Sequence, residues 1–293
     1  MEREVEVEPG VSLWVQDLPP AGIGDGLPGE AVLLVMGADT SGIAWPDAFV
    51  ERLRTRHRVV RYDHRDTGRS THAFEEHPYG IADLAGDAIA VLDACGIDRA
   101  HVVGMSMGGT LAQVMALDAP DRLASTTLLC TAALSADRDG LPGPTRDVLR
   151  MWQEMTDPRD ERGELAWRVE HWRRLHGTAL PFDGLEFRAL EQRLMAHAGR
   201  SDSPAAHSMA DPDGLDRGAE LATITVPTLV VEAPEDPVNP PPHASHLVEK
   251  IGGAARLVTV PGMGHALPST VVSPVAEAIL SHAAVSEGAA RRR

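Results

Sequence analysis

Three residues of this 293-residue chain have the types and the order that nucleophilic catalysis needs. Ser106 lies in the stretch GMSMG, which fits the G-x-S-x-G pattern of a nucleophile elbow. Asp236 lies in TLVVEAPEDPVNP, and His265 lies in LVTVPGMGHALP. A serine hydroxyl is a weak nucleophile until a histidine removes its proton, and an aspartate holds that histidine in the correct tautomer. We therefore predict a triad of Ser106, Asp236 and His265 that attacks an acyl carbon.

Each member of this triad also has an ordinary structural interpretation. Ser106 could cap the helix that follows it, Asp236 could be a turn residue, and His265 is one of 13 histidines. The rival acids are Glu235 next to Asp236, then Glu232, and Asp63 at the end of an earlier strand. Three suitable residues in the order serine, aspartate, histidine, each just after a predicted strand, favour the catalytic interpretation.

A tetrahedral intermediate formed at Ser106 would need two backbone N–H donors. One is expected from Met107, the residue after the nucleophile. The other is expected from the loop after the apolar run AVLLVMG, where Ala38 is the best candidate and Gly37 allows the loop to bend. Losing one such donor costs about 10²–10³ in rate.

A second charged cluster lies in YDHRDTGRS and contains His64, Arg65, Asp66 and Arg69. It could border the site, or it could be an ion-paired loop that braces the elbow. We favour the ion-paired loop.

The elements that must position these residues alternate between strand and helix patterns. Apolar strand patterns at AVLLVMG, HRVVRYD, AHVVG, RLASTTLLCT, TVPTLVVE and ARLVTVPG alternate with amphipathic helix patterns. Residues 141–218 interrupt this alternation with helical segments alone. The sequence predicts an α/β fold with a mostly parallel central sheet, helices on both faces and an inserted helical cap. The predicted core domain spans 1–136 and 219–293, and the predicted cap spans 137–218.

Composition limits the classes of partner. The net charge of −16 argues against a nucleic-acid partner, which would favour a basic face. No apolar run approaches the 18 residues of a membrane span, and the acidic MEREVEVEPG does not resemble a signal peptide. These features predict a cytoplasmic protein without a membrane partner. The sequence does not indicate an oligomeric state.

Cofactor and metal motifs are absent from the sequence. There is no G-x-G-x-x-G and no clustered set of metal ligands, so we predict that the chain uses neither a cofactor nor a metal. The two cysteines, Cys95 and Cys130, are predicted to be buried free thiols in a reducing compartment. The final EGAARRR is predicted to be a frayed tail.

With these residues placed, the chain resembles the anthracycline methylesterases of aromatic polyketide pathways, which are α/β-hydrolases with a helical cap. The resemblance covers nearly the whole chain and rests on stretches that include RYDHRDTGRST, DRAHVVGMSMG, GLPGP, VPTLVVEAPEDP and VPGMGHALPS. The chain departs from the family at Ala38, where glycine is expected, and at Gly109 after the elbow. Alanine should be tolerated at position 38 if its φ is negative.

This resemblance implies hydrolysis of the carbomethoxy ester on the tetracyclic aglycone of an anthracycline, which releases methanol. Loss of carbon dioxide from the acid product can follow. The resemblance also implies that Ser106, Asp236 and His265 form the triad, and that the N–H groups of Met107 and Ala38 bind the oxyanion. The implied partner is a small-molecule aromatic polyketide.

The cap region has a composition that suits such a ligand. Residues 141–210 hold five of the eleven aromatic residues, together with four methionines. Flat rings and thioethers can line a pocket for a planar polycyclic molecule, although they can also form the core of the cap. The predicted substrate contacts are Gly37, Met105, Trp152, Met155, Trp172 and Phe182.

Other functions remain compatible with the same residues. A general carboxylesterase, a lactonase or a cofactor-free perhydrolase would use the same triad. Epoxide hydrolases and dehalogenases are disfavoured because they need an aspartate at position 106. From another class of protein, a ligand receptor could keep the fold and bind without turnover; an intact triad argues against it.

Overall fold

The computed structural model describes residues 1–21, 29–135 and 140–290. Its central feature is an eight-stranded sheet with the order β1-β2-β4-β3-β5-β6-β7-β8. β1 and β2 form an antiparallel hairpin, β2 pairs antiparallel with β4, and the remaining pairs are parallel. The strands are β1 (Glu2–Glu8), β2 (Val11–Leu18), β3 (Gly29–Val35), β4 (His57–Tyr62), β5 (Ala100–Met105), β6 (Leu123–Leu129), β7 (Thr228–Glu232) and β8 (Ala255–Thr259).

Helices cover both faces of the sheet, as the sequence predicts. Alternate side chains of β3 point to opposite faces, so Leu33 packs in one buried cluster and Leu34 in the other. The first cluster includes α2 (Asp83–Ala94), α3 (Met107–Asp118) and α8 (His243–Ile251). The second includes α1 (Asp47–Arg54) and α9 (Ser269–Ala290). Burial on two faces explains why the central strands read as continuous apolar runs.

The chain between β6 and β7 forms helices that extend beyond the sheet. They are α4 (Arg146–Gln153), α5 (Glu161–His176), α6 (Gly184–Ala198) and the single turn α7 (Ala206–Met209). In the described residues of this segment, the one strand-like contact is an isolated bridge between Gly80 and Asp211. The predicted boundary at 136/137 lies outside the described residues. We propose that these helices form the cap, and we use that name for them below.

The C-terminal segment differs from the expectation of a frayed tail. α9 continues to Ala290, and the Glu287 carboxylate accepts a hydrogen bond from the Glu30 N–H at 2.8 Å. Glu287 also lies 3.4 Å from Nε2 of His101, so the end of α9 is fastened to the sheet. Residues 291–293 lie outside the described residues. Among the described helices, none is long and apolar enough to cross a membrane.

Candidate active site

The nucleophile elbow lies at the junction of β5 and α3. Ser106 has φ 54° and ψ −119°, a backbone conformation that residues other than glycine rarely adopt. The turn is tight, because a Cβ on Gly104 would lie 2.1 Å from the Gly108 carbonyl oxygen. A Cβ on Gly108 would lie 2.1 Å from the Val35 carbonyl oxygen. The two glycines of the motif are therefore required by backbone contacts, and the strained serine opens α3.

His265 and Asp236 are hydrogen-bonded at the ends of the last two strands. Nδ1 of His265 lies 2.9 Å and 3.0 Å from the two Asp236 carboxylate oxygens. The same carboxylate accepts the backbone N–H groups of Val238 at 2.8 Å and Asn239 at 3.0 Å. Burial opposes ionisation of Asp236, but His265 and these N–H groups outweigh it, so its pKa is lowered. A carboxylate held in this way fixes the histidine ring with Nδ1 protonated.

The loop after β3 lies against the elbow. A Cβ on Gly37 would lie 3.3 Å from the Ser106 Cβ, so the absence of a side chain there allows the loop to approach the nucleophile. Ala38 lines the same cavity as Ser106, and it is not among the described non-glycine residues that have positive φ. The condition for tolerating alanine at position 38 is therefore met. Met107 is the first residue of α3, where backbone N–H groups have no intrahelical partner.

Asp39 follows in this loop and is tied to the cap. Its backbone N–H donates to Nδ1 of His207 at 2.7 Å, and its carboxylate accepts the His207 backbone N–H at 3.1 Å. Burial raises the pKa of Asp39 to about 7. Near neutral pH the carboxyl is therefore partly uncharged.

A cavity of about 510 Å³ connects the elbow to the cap. The volume falls within the range of pockets that bind small organic molecules. Its floor comes from the core and its walls come from α4, α5, α6 and the segment after α6. The lining residues from the core include Gly37, Ala38, Met105, Ser106 and His265, and those from the cap include Trp152, Met155, Trp167, His171, Trp172 and Leu194.

The structure places five of the six predicted substrate contacts on this cavity: Gly37, Met105, Trp152, Met155 and Trp172. Phe182 is not among the described lining residues. It stacks on Phe187 at a centroid distance of 5.0 Å, with the Arg173 guanidinium 4.3 Å from its ring centroid. Phe182 therefore belongs to the packing of the cap, because its ring faces other cap side chains. Trp167 and His171 line the cavity but were not selected from the sequence.

A buried ionic network fixes one cavity wall. Arg168 contacts Glu164 at 2.9 Å and Glu191 at 3.2 Å, and the Trp172 indole N–H donates to Glu191. Burial raises the pKa of Glu191, and Arg168 and Trp172 oppose that rise. The network joins α5 to α6 and orients the Trp172 ring.

The rival acids have other partners. Glu235 accepts hydrogen bonds from the hydroxyl and the backbone N–H of Thr178 at 3.0 Å and 3.3 Å. Asp63 is fully buried and accepts the backbone N–H groups of Gly42 and Arg69, each at 2.8 Å. Nε2 of His197 lies 2.7 Å from Asp63 as well. Glu232 accepts the Thr259 hydroxyl at 2.7 Å.

The charged loop after β4 is ion-paired, in agreement with the favoured interpretation. Both Arg65 nitrogens that face Asp87 lie 2.7–2.8 Å from its carboxylate oxygens. Asp66 accepts the backbone N–H groups of Ala73 and Phe74, and Nε2 of His64 lies 3.0 Å from the Met36 carbonyl oxygen. The loop also reaches the cavity, since Gly68 lines it. The loop is therefore ion-paired and also borders the cavity.

Two groups of potential metal ligands occur in the described part of the chain. One contains His57, His101 and Glu287, and the other contains Cys130, Asp236 and His265. The second group coincides with the predicted histidine–aspartate pair. Cys95 and Cys130 are both buried free thiols, as predicted, and burial beside Asp236 raises the pKa of Cys130 well above its usual value. Cys130 therefore remains a neutral thiol behind the pair.

Residues 26–269 match the protein-family model described as the alpha/beta hydrolase fold. The chain belongs to the α/β hydrolase fold family. A hydrolase from Pseudomonas aeruginosa PA01 has a similar solved structure, with a TM-score of 0.70 and 28% identity over 96% of this chain and 97% of that chain. The elbow, the acid and the histidine occupy the strand ends where this family places its chemistry.

Two methylesterases from Streptomyces are similar to this chain over almost their full length. Rhodomycin D methylesterase DauP of Streptomyces sp. (strain C5) is 47% identical over 93% of this chain and 95% of that protein. Rhodomycin D methylesterase DnrP of Streptomyces peucetius is 46% identical over the same shares. These relatives confirm the resemblance to methylesterases that was inferred from the sequence motifs.

Proposed function

We propose that this chain is a serine esterase that hydrolyses the carbomethoxy ester of an anthracycline-type aromatic polyketide during antibiotic biosynthesis. The observation that carries the proposal is that Ser106 and His265 line one cavity whose cap walls include three tryptophans. The names of the two similar methylesterases supply the ester and the substrate class. The cavity volume of about 510 Å³ suits a polycyclic ligand.

In the proposed first step, the Ser106 hydroxyl attacks the ester carbonyl carbon while Nε2 of His265 takes its proton. Asp236 stabilises the imidazolium through its contacts with Nδ1. The carbonyl oxygen becomes an oxyanion, which accepts hydrogen bonds from the N–H groups of Ala38 and Met107. The carbon–methoxy bond then breaks, and His265 returns the proton to the leaving oxygen, so methanol departs.

In the second step, water hydrolyses the acyl-enzyme. His265 takes a proton from the water as its oxygen attacks the acyl carbon, and the same oxyanion donors stabilise the second intermediate. The bond to Ser106 breaks, the serine oxygen regains the proton, and the carboxylic acid is released. Loss of carbon dioxide from that acid can follow in solution or in the cavity.

The proposal is tested by mass spectrometry of a carbomethoxy-bearing anthracycline glycoside incubated with purified protein. We expect the wild type to yield the free acid, or that acid less carbon dioxide. Ser106→Ala should lose turnover by roughly 10⁶-fold, as in other triad enzymes, while it still binds the substrate. Ser208→Ala is the matched control, because this exposed serine also lines the cavity.

Two outcomes would redirect the assignment. If short-chain aryl esters or lactones are hydrolysed with higher kcat/KM than the anthracycline, the chain is a general esterase or lactonase. If the anthracycline binds tightly and neither wild type nor variant changes it, the chain is a ligand receptor. Normal turnover by Ser106→Ala would remove the proposed nucleophile.

A further inference from the structure

Two polar atoms on the cavity wall are buried without a hydrogen-bond partner. They are the indole Nε1 of Trp167 and the imidazole Nε2 of His171. In the described part of the chain, eleven buried side-chain N or O atoms have no partner, and these two are the ones on cavity-lining residues. Buried polar atoms in folded proteins are almost always hydrogen-bonded, so such exceptions point to a missing partner.

The two side chains form one unit on α5. Trp167 and His171 are four residues apart, so they lie on the same helix face. Their ring centroids are 5.3 Å apart with planes tilted by 34°. The Arg159 guanidinium lies 4.5 Å from the Trp167 ring centroid, and Arg159 is itself held by Glu164 at 3.4 Å. The indole is therefore packed in a fixed orientation before any ligand binds.

The charge state of His171 suits recognition of a neutral ligand. Burial, with a smaller contribution from nearby His265, lowers the pKa of His171 to about 4. At neutral pH the ring is uncharged and can donate or accept a hydrogen bond, depending on its tautomer. The Trp167 N–H can only donate. The pair thus offers a fixed donor beside an adaptable partner.

We propose that Trp167 and His171 together bind two neighbouring oxygen substituents on one edge of the fused-ring substrate. The Trp167 N–H donates to a ring carbonyl oxygen, and His171 pairs with an adjacent hydroxyl or carbonyl. The chemical class recognised is a hydroxyquinone, whose edge presents these oxygens side by side. This inference rests on the proposed function, because it assigns the pair to positioning the same substrate, with its ester toward Ser106.

Polycyclic rings without those oxygens provide the discriminating probe. We would compare a carbomethoxy tetracyclic hydroxyquinone with a carbomethoxy tetracycle of the same shape that lacks the edge oxygens. The variants are Trp167→Phe, which keeps a ring but loses the N–H, and His171→Leu. The control is Trp172→Phe, because the Trp172 N–H is already paired with Glu191 and should not select between the two probes.

For Trp167→Phe and His171→Leu, we expect KM for the hydroxyquinone to rise by about tenfold, the upper range for one lost hydrogen bond. KM for the deoxygenated probe should not change, and kcat should fall less than KM rises. His171→Gln, which keeps a polar side chain, should recover part of the loss. Equal effects on both probes, or no effect on either, would overturn the proposal.

Failure of the proposed function is distinguished by binding of both probes in the Ser106→Ala background, measured by isothermal titration calorimetry. If no ester is hydrolysed but Trp167→Phe still weakens hydroxyquinone binding selectively, the inference stands without the reaction. If the ester is hydrolysed but selectivity between the probes is the same in every variant, the reaction stands without the inference. Binding of neither probe would overturn the inference.

Discussion

The backbone N–H of His265 donates to the carbonyl oxygen of Leu175 at 2.7 Å. Leu175 lies in the last turn of cap helix α5, so the cap is hydrogen-bonded to the loop that carries the proposed base. Gly264, the residue before His265, also packs closely against α5. A Cβ on Gly264 would lie 2.2 Å from the His176 carbonyl oxygen. The position of His265 is therefore set by the cap as well as by Asp236.

The contact between Gly264 and α5 predicts a defect in both stability and activity. Gly264→Ala should force α5 and the His265 loop apart, with a stability loss of about 1–3 kcal/mol from overpacking. A displacement of the base by about 1 Å should lower kcat by roughly 10²-fold. Thermal melting and kcat of the purified variant measure the two effects.

Gly86→Ala is the control for this substitution, because an added Cβ there has nothing within 4 Å. Gly86 lies inside α2, where alanine should be neutral or stabilising by about 0.5–1 kcal/mol. Wild-type kcat in Gly264→Ala would show that α5 does not position the base.

The two adjacent acids predict opposite results on substitution. Asp236→Asn should lower kcat by roughly 10⁴-fold, because an amide cannot hold the His265 tautomer or stabilise the imidazolium. Glu235→Gln should leave kcat within a few fold, since Glu235 bonds to Thr178 instead. Steady-state kinetics on the methyl ester distinguishes the pair. A larger loss in Glu235→Gln than in Asp236→Asn would reassign the acid.

The buried ion pair of the charged loop predicts a large stability loss. The Arg65 and Asp87 side chains are 8% and 5% exposed, so Arg65→Met leaves an unpaired buried carboxylate. The expected cost is about 3–5 kcal/mol in the free energy of unfolding, measured by urea denaturation. Arg69→Met removes a cation that is 50% exposed, and should cost about 1 kcal/mol or less. Similar losses in both variants would contradict a structural role specific to Arg65.

The buried His207 side chain is expected to make the protein less stable at acid pH. Burial lowers its pKa to about 3, whereas an unfolded histidine titrates near 6.5. Between these values the unfolded state binds a proton that the folded state does not, so stability falls as pH falls from about 6.5 toward 3. Urea unfolding at several pH values should show a shallower acid slope in His207→Gln than in the wild type.

The control for this pH series is Ser208→Ala, which changes an exposed side chain that carries no titratable group. Its acid slope should match that of the wild type. If His207→Gln and the wild type lose stability in parallel throughout the window, proton binding at His207 does not contribute.

The elbow and the sheet could be predicted from the sequence because their signals are local. The elbow is a pattern of five consecutive residues, and strands buried on both faces must be continuously apolar. Within the elbow, the Gly104 contact with the Gly108 carbonyl is local, whereas Gly108 itself packs against Val35 of β3. Gly109 shows where this reasoning stops. A Cβ there would lie 2.6 Å from the Thr131 side chain, a contact between distant chain segments that no local pattern reveals.

The cap was harder to predict, since its side chains can face either the cavity or one another. Trp172 and Phe182 look equivalent in the sequence, yet Trp172 lines the cavity and Phe182 stacks on Phe187. Which of these rings faces the cavity depends on how α5 packs against α6. Trp167 and His171 carried a signal that could have been used, namely aromatic residues at i and i+4 on one helix.

The division of the cavity between a core floor and cap walls has a consequence for how such proteins diversify. The residues that wall the cavity from Trp152 to Ser208 form one uninterrupted stretch of chain, whereas Ser106, Asp236 and His265 are spread over the remainder. Recombination of a single gene segment could therefore replace ligand choice while it leaves the reaction intact. Any transplanted segment must restore the hydrogen bond between the His265 N–H and the carbonyl oxygen at position 175.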